Sequence, residues 1–117
     1  MAKRKKKSES QIRKEHPMFS GVLNYFPDAL WYISHISMEG NKKHNPGQPL
    51  HWSKDKSNDH ADTIMRHLKD AGKVDSAGQL HSGNLAWRAL ALLQIEMEKR
   101  MKDGNFKSFV QPTLYGG

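Results

Sequence analysis

The sequence contains no cysteine, and that absence removes disulfides, thiolate catalysis and zinc ribbons together. No apolar stretch approaches the roughly 20 residues needed to cross a bilayer. No apolar segment follows the basic N-terminus as a secretory signal would require. A soluble cytoplasmic protein with no membrane partner is therefore expected. A Gly-rich Walker loop, a dinucleotide fingerprint and a serine in a nucleophile elbow are missing as well. Hydrophobic residues make up 36% of the 117, enough for one domain with a modest core. A chain of this length hides roughly 65% of its unfolded surface, so self-association is a natural supplement.

Acidic residues are also scarce, 12 against 19 Lys and Arg, for a formal net charge of +7. The excess is local. Lys3, Arg4, Lys5, Lys6, Lys7, Arg13 and Lys14 lie near the start, opposed there by Glu9, and the remainder is close to neutral. Residues 1–16 lack apolar periodicity and read as a disordered basic tail. Such an arm is either a solubilising appendage or a nonspecific contact for nucleic-acid phosphates. Residues 17–110 are expected to form a single helical domain, and 111–117 a loose C-terminus.

Within the domain the periodicity is helical, and the expected class is all-α, a small bundle of three main helices. The first starts near Pro27, with Leu30, Ile33 and Ile36 on one stripe and Gly40 as its stop. A long loop follows, containing Pro46, Gly47 and Pro49. The second helix, capped by Ser57 or Asn58, places Ala61, Ile64, Met65 and Leu68 on an apolar stripe and ends before Gly72. The third spans about Ser82 to Lys102 and carries two stripes, Leu85, Ala86, Ala89, Leu92, Leu93 and Met97, then Trp87, Leu90 and Ala91. A surface helix needs one stripe, so this helix is expected to be central or to form a homo-oligomer interface. Phe106, Phe109 and Val110 are candidates to fold back on the core.

The polar segment between the first and third helices carries the chemistry. Lys43, His44, Lys56, Arg66 and His67, with the N-terminus of the second helix from Ser57 to His60, suit a phosphate. Trp52 suits stacking on a base, or pinning the loop to the core. Seven histidines raise the question of a metal. His60 and His67, however, are two helical turns apart, roughly 10 Å by helical rise, and cannot chelate one ion together. His44, His51 or His81 would have to join one of them from a loop. For Mg²⁺ or Mn²⁺ the oxygen donors are Asp59 and Asp62, with Glu39 or Asp75 to complete the set. Without catalysis no cofactor is expected. The plainer reading of Asp59 and Asp62 is that they favour the helix N-terminus and pair with Arg66.

The ordered series Gly40-Asn-Lys-Lys-His-Asn-Pro-Gly-Gln-Pro-Leu-His-Trp52, Lys56-Ser-Asn-Asp-His-Ala-Asp62, Arg66-His67-Leu68, Gly72, Asp75, His81 and Ala86-Trp-Arg-Ala-Leu90 resembles a phage-associated family. That family is named for the N-terminal domain of dATP/dGTP diphosphohydrolases. The resemblance covers about residues 26–98. It implies an all-helical domain handling purine deoxynucleotides in the cytoplasm of an infected or lysogenic cell. It marks Lys43, His44, Asn45, Trp52, Lys56, Ser57, Asp59, His60, Arg66, His67, Asp75 and His81 as site positions. The Glu-x-x-Glu and Glu-x-x-Asp pairs of the all-α nucleotide pyrophosphohydrolases are absent, leaving Asp59-x-x-Asp62. Two readings follow. One is a pyrophosphohydrolase with Asp59, Asp62 and His60 as catalytic residues. The other is a non-catalytic binder that sequesters a nucleotide or a cyclic nucleotide signal. A third, weaker reading is a DNA- or RNA-binding accessory protein acting through the tail.

Overall fold

A computed structural model describes residues 6–103, so Lys3, Arg4 and Lys5, the fold-back candidates Phe106, Phe109 and Val110, and the C-terminal end lie outside the described residues. The fold is all-α: among the described residues an isolated bridge between Val74 and Leu80 is the sole β pairing. The helices are α1 (Glu9–Lys14), α2 (Pro27–His44), α3 (His60–Lys69) and α4 (His81–Lys102), with a π-helical turn at Phe19–Leu23 and a 3₁₀ turn at Lys54–Lys56. The expected bundle of three corresponds to α2, α3 and α4.

The chain divides into two compact units, Pro27–Glu96 and the segments on either side of it. In the flanking unit the basic arm is more ordered than its composition predicts. Ser8 and Gln11 form a reciprocal capping box that starts α1, and Ile12 is buried. Two satisfied N-terminal donors and one buried aliphatic residue oppose the disorder that the lysine run favours.

The unit Pro27–Glu96 contains everything that positions the polar segment. Helix α2 starts at Pro27 with Asp28 in its first turn, where a missing N–H costs nothing and a carboxylate suits the helix dipole. Gly40 does not stop it; the helix runs on to His44. The reason is Asn41, buried at 7% exposure, whose side chain holds the following loop. Its Nδ2 donates to the Gln48 carbonyl at 3.0 Å, and its Oδ1 accepts from the His51 N–H at 3.1 Å and from Asn45 Nδ2 at 3.2 Å. The turn inside this loop uses Gly47 at φ 75°, a left-handed conformation that glycine adopts without strain.

The largest departure from the sequence pattern is the orientation of α3. Its apolar stripe does not face inward: Met65 is 62% and Leu68 52% exposed, Ala61 is exposed, and Ile64 is half-buried. Buried instead are His60 and Thr63, on the polar face. The loop after α3 turns through Gly72 at φ 87° and closes when the His81 N–H donates to the Lys73 carbonyl at 3.0 Å. Helix α4 begins there, and its Trp87 Nε1 donates to Ser37 Oγ of α2 at 2.6 Å. Of its two expected stripes, Ala91 is buried while Leu90 and Leu93 are exposed.

Candidate functional site

Helices α3 and α4 meet through polar side chains. His67 Nδ1 lies 3.0 Å from His81 Nδ1, and Arg88 Nη1 lies 3.4 Å from His60 Nδ1. Each pair takes one residue from each helix. His60 and His67 are seven apart, as are His81 and Arg88, in opposite chain order. The two pairs are thus successive rungs of an antiparallel packing, two turns or roughly 10 Å apart by helical rise. Polar groups occupy the positions that apolar knobs usually take, and this explains why α3 turns its polar face inward.

At the first rung two guanidinium groups converge on one carboxylate. Arg66 Nη2 is 3.7 Å from Asp59 Oδ2, and Arg88 Nη1 is 3.8 Å from Asp59 Oδ1. Thr63 Oγ1 donates to Asp59 Oδ2 at 3.3 Å and accepts from Arg66 Nη2 at 2.9 Å. Asp59 precedes α3 but its side chain makes no cap hydrogen bond, so the first N–H groups of the helix carry no side-chain acceptor among the described residues. His60 is 7% exposed, and its Nε2 has no hydrogen-bond partner among the described residues. An arginine only donates, so the His60 Nδ1 facing Arg88 presents a lone pair and Nε2 carries the proton. The rung therefore holds a buried N–H that needs an acceptor, beside two cations and an uncapped helix start. All four features suit an anionic oxygen.

At the second rung the imidazole rings are 5.2 Å apart between centroids. A contact between two Nδ1 atoms requires one to donate and the other to accept, so the pair cannot carry protons on both facing nitrogens. Burial, then the charges of His81, Arg66 and Arg88, push the His67 pKa below the ordinary 6.5, with Asp75 opposing. His67 is accordingly neutral at pH 7. The unfolded chain takes up a proton here first as the pH falls from 6.5, so this residue's contribution to stability is lost on acidification towards its folded value. An anion bound at the seam would reverse the preference. Sulfate, a dianion across pH 5–8, is expected to bind more tightly at about pH 5.5 than at 7.5, with proton uptake and a flattened profile in His67→Gln. Calorimetry in two buffers of different ionisation enthalpy measures both; affinity that stays flat or falls with acid would contradict the coupling.

Of the residues expected from sequence, Asp59, His60, Arg66, His67 and His81 come together at this seam. Arg88 and Thr63 were not among those expected. The signals for Arg88 were present, an arginine inside the apolar run Ala86–Leu90 and a seven-residue spacing from His81 that mirrors His60 and His67.

The other expected residues are placed elsewhere. Asp62 is exposed on α3; Arg66 turns to Thr63 and Asp59 instead of pairing with it. Lys43, His44 and Lys56 are exposed, with no hydrogen bond or ion pair to the seam among the described residues. Asn45 belongs to the Asn41 network, and Ser57 ends the 3₁₀ turn. Trp52 packs edge-on against Trp87 at 5.6 Å between ring centroids, and the Lys54 ammonium sits 5.2 Å from its ring, so it pins the loop. Glu39 pairs with Lys42 at 3.3 Å. Asp75 shapes its own turn: the N–H of Gln79, then that of Ala77, both at 2.9 Å, hold its carboxylate below the usual range, with Asn84 contributing.

Among the described residues no three His, Asp or Glu side chains are grouped to hold a metal ion. Glu39, Asp59, Asp62 and Asp75 are therefore not one ligand set. The seam offers guanidinium and imidazole groups around a single carboxylate, which does not fit the oxygen cage that Mg²⁺ or Mn²⁺ requires.

Compared with known protein families, residues 4–105 match the model of the N-terminal domain of dATP/dGTP diphosphohydrolases. The chain belongs to this family. The match takes in α1 through α4 and all the seam residues. Neither the curated proteins nor the solved structures contain a match to the chain.

Proposed function

We propose that this member of the dATP/dGTP diphosphohydrolase N-terminal family binds the phosphate groups of a purine deoxynucleotide at the seam between α3 and α4. The observation that carries the reading is the convergence of Arg66 and Arg88 on Asp59 next to the buried His60, whose Nε2 has no hydrogen-bond partner among the described residues. A buried donor without an acceptor costs on the order of 1–3 kcal/mol, and a phosphate oxygen would supply the missing bond. Arg66 and Arg88 would neutralise the ligand's charge, and His67 would offer an N–H at the second rung. The roughly 10 Å between rungs suits a chain of phosphates better than a single one. Purine specificity rests on the family alone.

This reading favours binding over hydrolysis, because the seam gathers guanidinium and imidazole groups around one carboxylate rather than the paired carboxylates of a metal-assisted hydrolysis. Calorimetry with dATP and dGTP, followed by denaturation and chromatography of the released ligand, separates the two. Saturable binding with intact nucleotide recovered is expected. Recovery of monophosphate and pyrophosphate would replace it with the hydrolytic reading, and absence of binding by either nucleotide would remove both.

The apolar residues that α3 and α4 leave outside, Met65, Leu68, Leu90 and Leu93, suit a second copy of the chain as their cover. Light scattering should then return the mass of two chains. A mass of one 13.4 kDa chain across the accessible concentrations would dismiss the association.

A further inference from the structure

Among the described residues Asp59 is the one carboxylate placed between the two arginines, and its contacts with them are loose. At 3.7 and 3.8 Å both lie beyond the 2.7–2.9 Å of a charge-assisted hydrogen bond. The carboxylate is half-exposed, is not engaged in capping α3, and keeps a single 3.3 Å bond from Thr63. A group that held the arginines as a structural ion pair would be closer and more fully bonded.

We propose that Asp59 is an internal stand-in for the ligand's phosphate, displaced when a doubly charged phosphate enters between Arg66 and Arg88. The inference rests on the anion-binding reading of the same seam and adds the class of phosphate that the site accepts. A phosphodiester, with one negative charge, would exchange one monoanion for another and gain little. A terminal phosphate, with a second pKa near 6, carries close to two charges at pH 7 and wins the exchange. The site therefore selects nucleotides that end in a free phosphate over cyclic nucleotides and nucleic-acid backbones. The role is also opposite in sign to that of a metal ligand or catalytic carboxylate, whose removal weakens function.

The test uses the full chain and two ligands, deoxyguanosine 5′-monophosphate and its 3′,5′-cyclic phosphodiester. Asp59→Asn should bind the monophosphate about two- to fivefold more tightly than wild type, the range expected for removing one half-exposed competing charge. Asp28→Asn, in the first turn of α2, changes the net charge equally and should leave affinity unaltered. The unmodified chain should prefer the monophosphate to the cyclic ligand by about tenfold or more. Asp59→Ser, which retains a side chain suited to the start of a helix, serves if the asparagine variant does not fold. Binding that appears only in the Asp59 variants also supports the displacement. Unchanged or weaker binding in those variants overturns it, as does equal affinity of the unmodified chain for the two ligands. If the unmodified chain binds the monophosphate and loses it on Arg88→Ala, an unimproved Asp59→Asn refutes displacement while the anion site stands. No binding by any variant refutes both.

Discussion

Arg88→Ala is expected to weaken binding of dGTP or dATP by roughly ten- to a hundredfold, the range for losing a charge-assisted hydrogen bond of about 1.5–3 kcal/mol. Arg88 is the less exposed of the two guanidinium groups, 27% against 65% for Arg66, so less of its field is screened by water. It also faces His60 Nδ1, and its removal frees that ring to take the other tautomer and withdraw the Nε2 proton from the ligand. Arg88→Lys should recover only part of the loss, because an ammonium lacks the planar fork that spans two acceptors. Titration calorimetry of the three proteins, each checked for folding by circular dichroism, measures this. Equal affinity in wild type and Arg88→Ala would dismiss the seam as the binding site.

A second large effect is expected at Gly83, where the backbone of α4 passes against α2. A Cβ there would stand 2.5 and 2.7 Å from Tyr32 Cε2 and Cδ2 and 3.5 Å from Ile36 Cδ1. The Tyr32 ring is poorly free to retreat, since its hydroxyl accepts the Leu80 N–H at 2.7 Å, one residue before His81. Gly83→Val should destabilise the fold by about 3 kcal/mol, combining overpacking with the lost hydrogen bond. Gly40 supplies the contrast. It lies inside α2 with nothing within 4 Å of an added Cβ, so Gly40→Ala should stabilise by about 0.5–1 kcal/mol through helix propensity. Urea denaturation of both variants decides the matter, and a neutral Gly83→Val would mean that α2 and α4 are not packed this closely.

Local signals in the sequence located the helices well, because caps and breakers act over a few residues. Pro27 begins α2, and Gly72 follows the end of α3, each for a reason confined to its own turn. Gly40 misled because the continuation to His44 depends on Asn41 bonding to Gln48 and His51, seven and ten residues away. The face of α3 was not legible at all. Ala61, Ile64, Met65 and Leu68 form a stripe on their own helix. Which face is buried depends on the partner, and α4 offers His81 and Arg88 in matching register. Five site residues were nevertheless recognisable, since cations and imidazoles gathered near a helix start carry their chemistry without the fold. Arg88 required the antiparallel pairing before its place opposite His60 could be seen.

The polar packing of α3 has a consequence for its dynamics. A helix docked by apolar burial resists opening in proportion to the area it hides, whatever the ionic conditions. Helix α3 is docked chiefly through imidazole, hydroxyl, guanidinium and carboxylate groups, so the free energy of its local opening depends on salt and pH. Its amides should exchange with deuterium through a sub-global opening below the global limit, with protection relative to the intrinsic rate at each pH reduced in high salt and in acid, and raised wherever an anion bridges the rungs. The helix that carries the proposed site would thereby also report its occupancy.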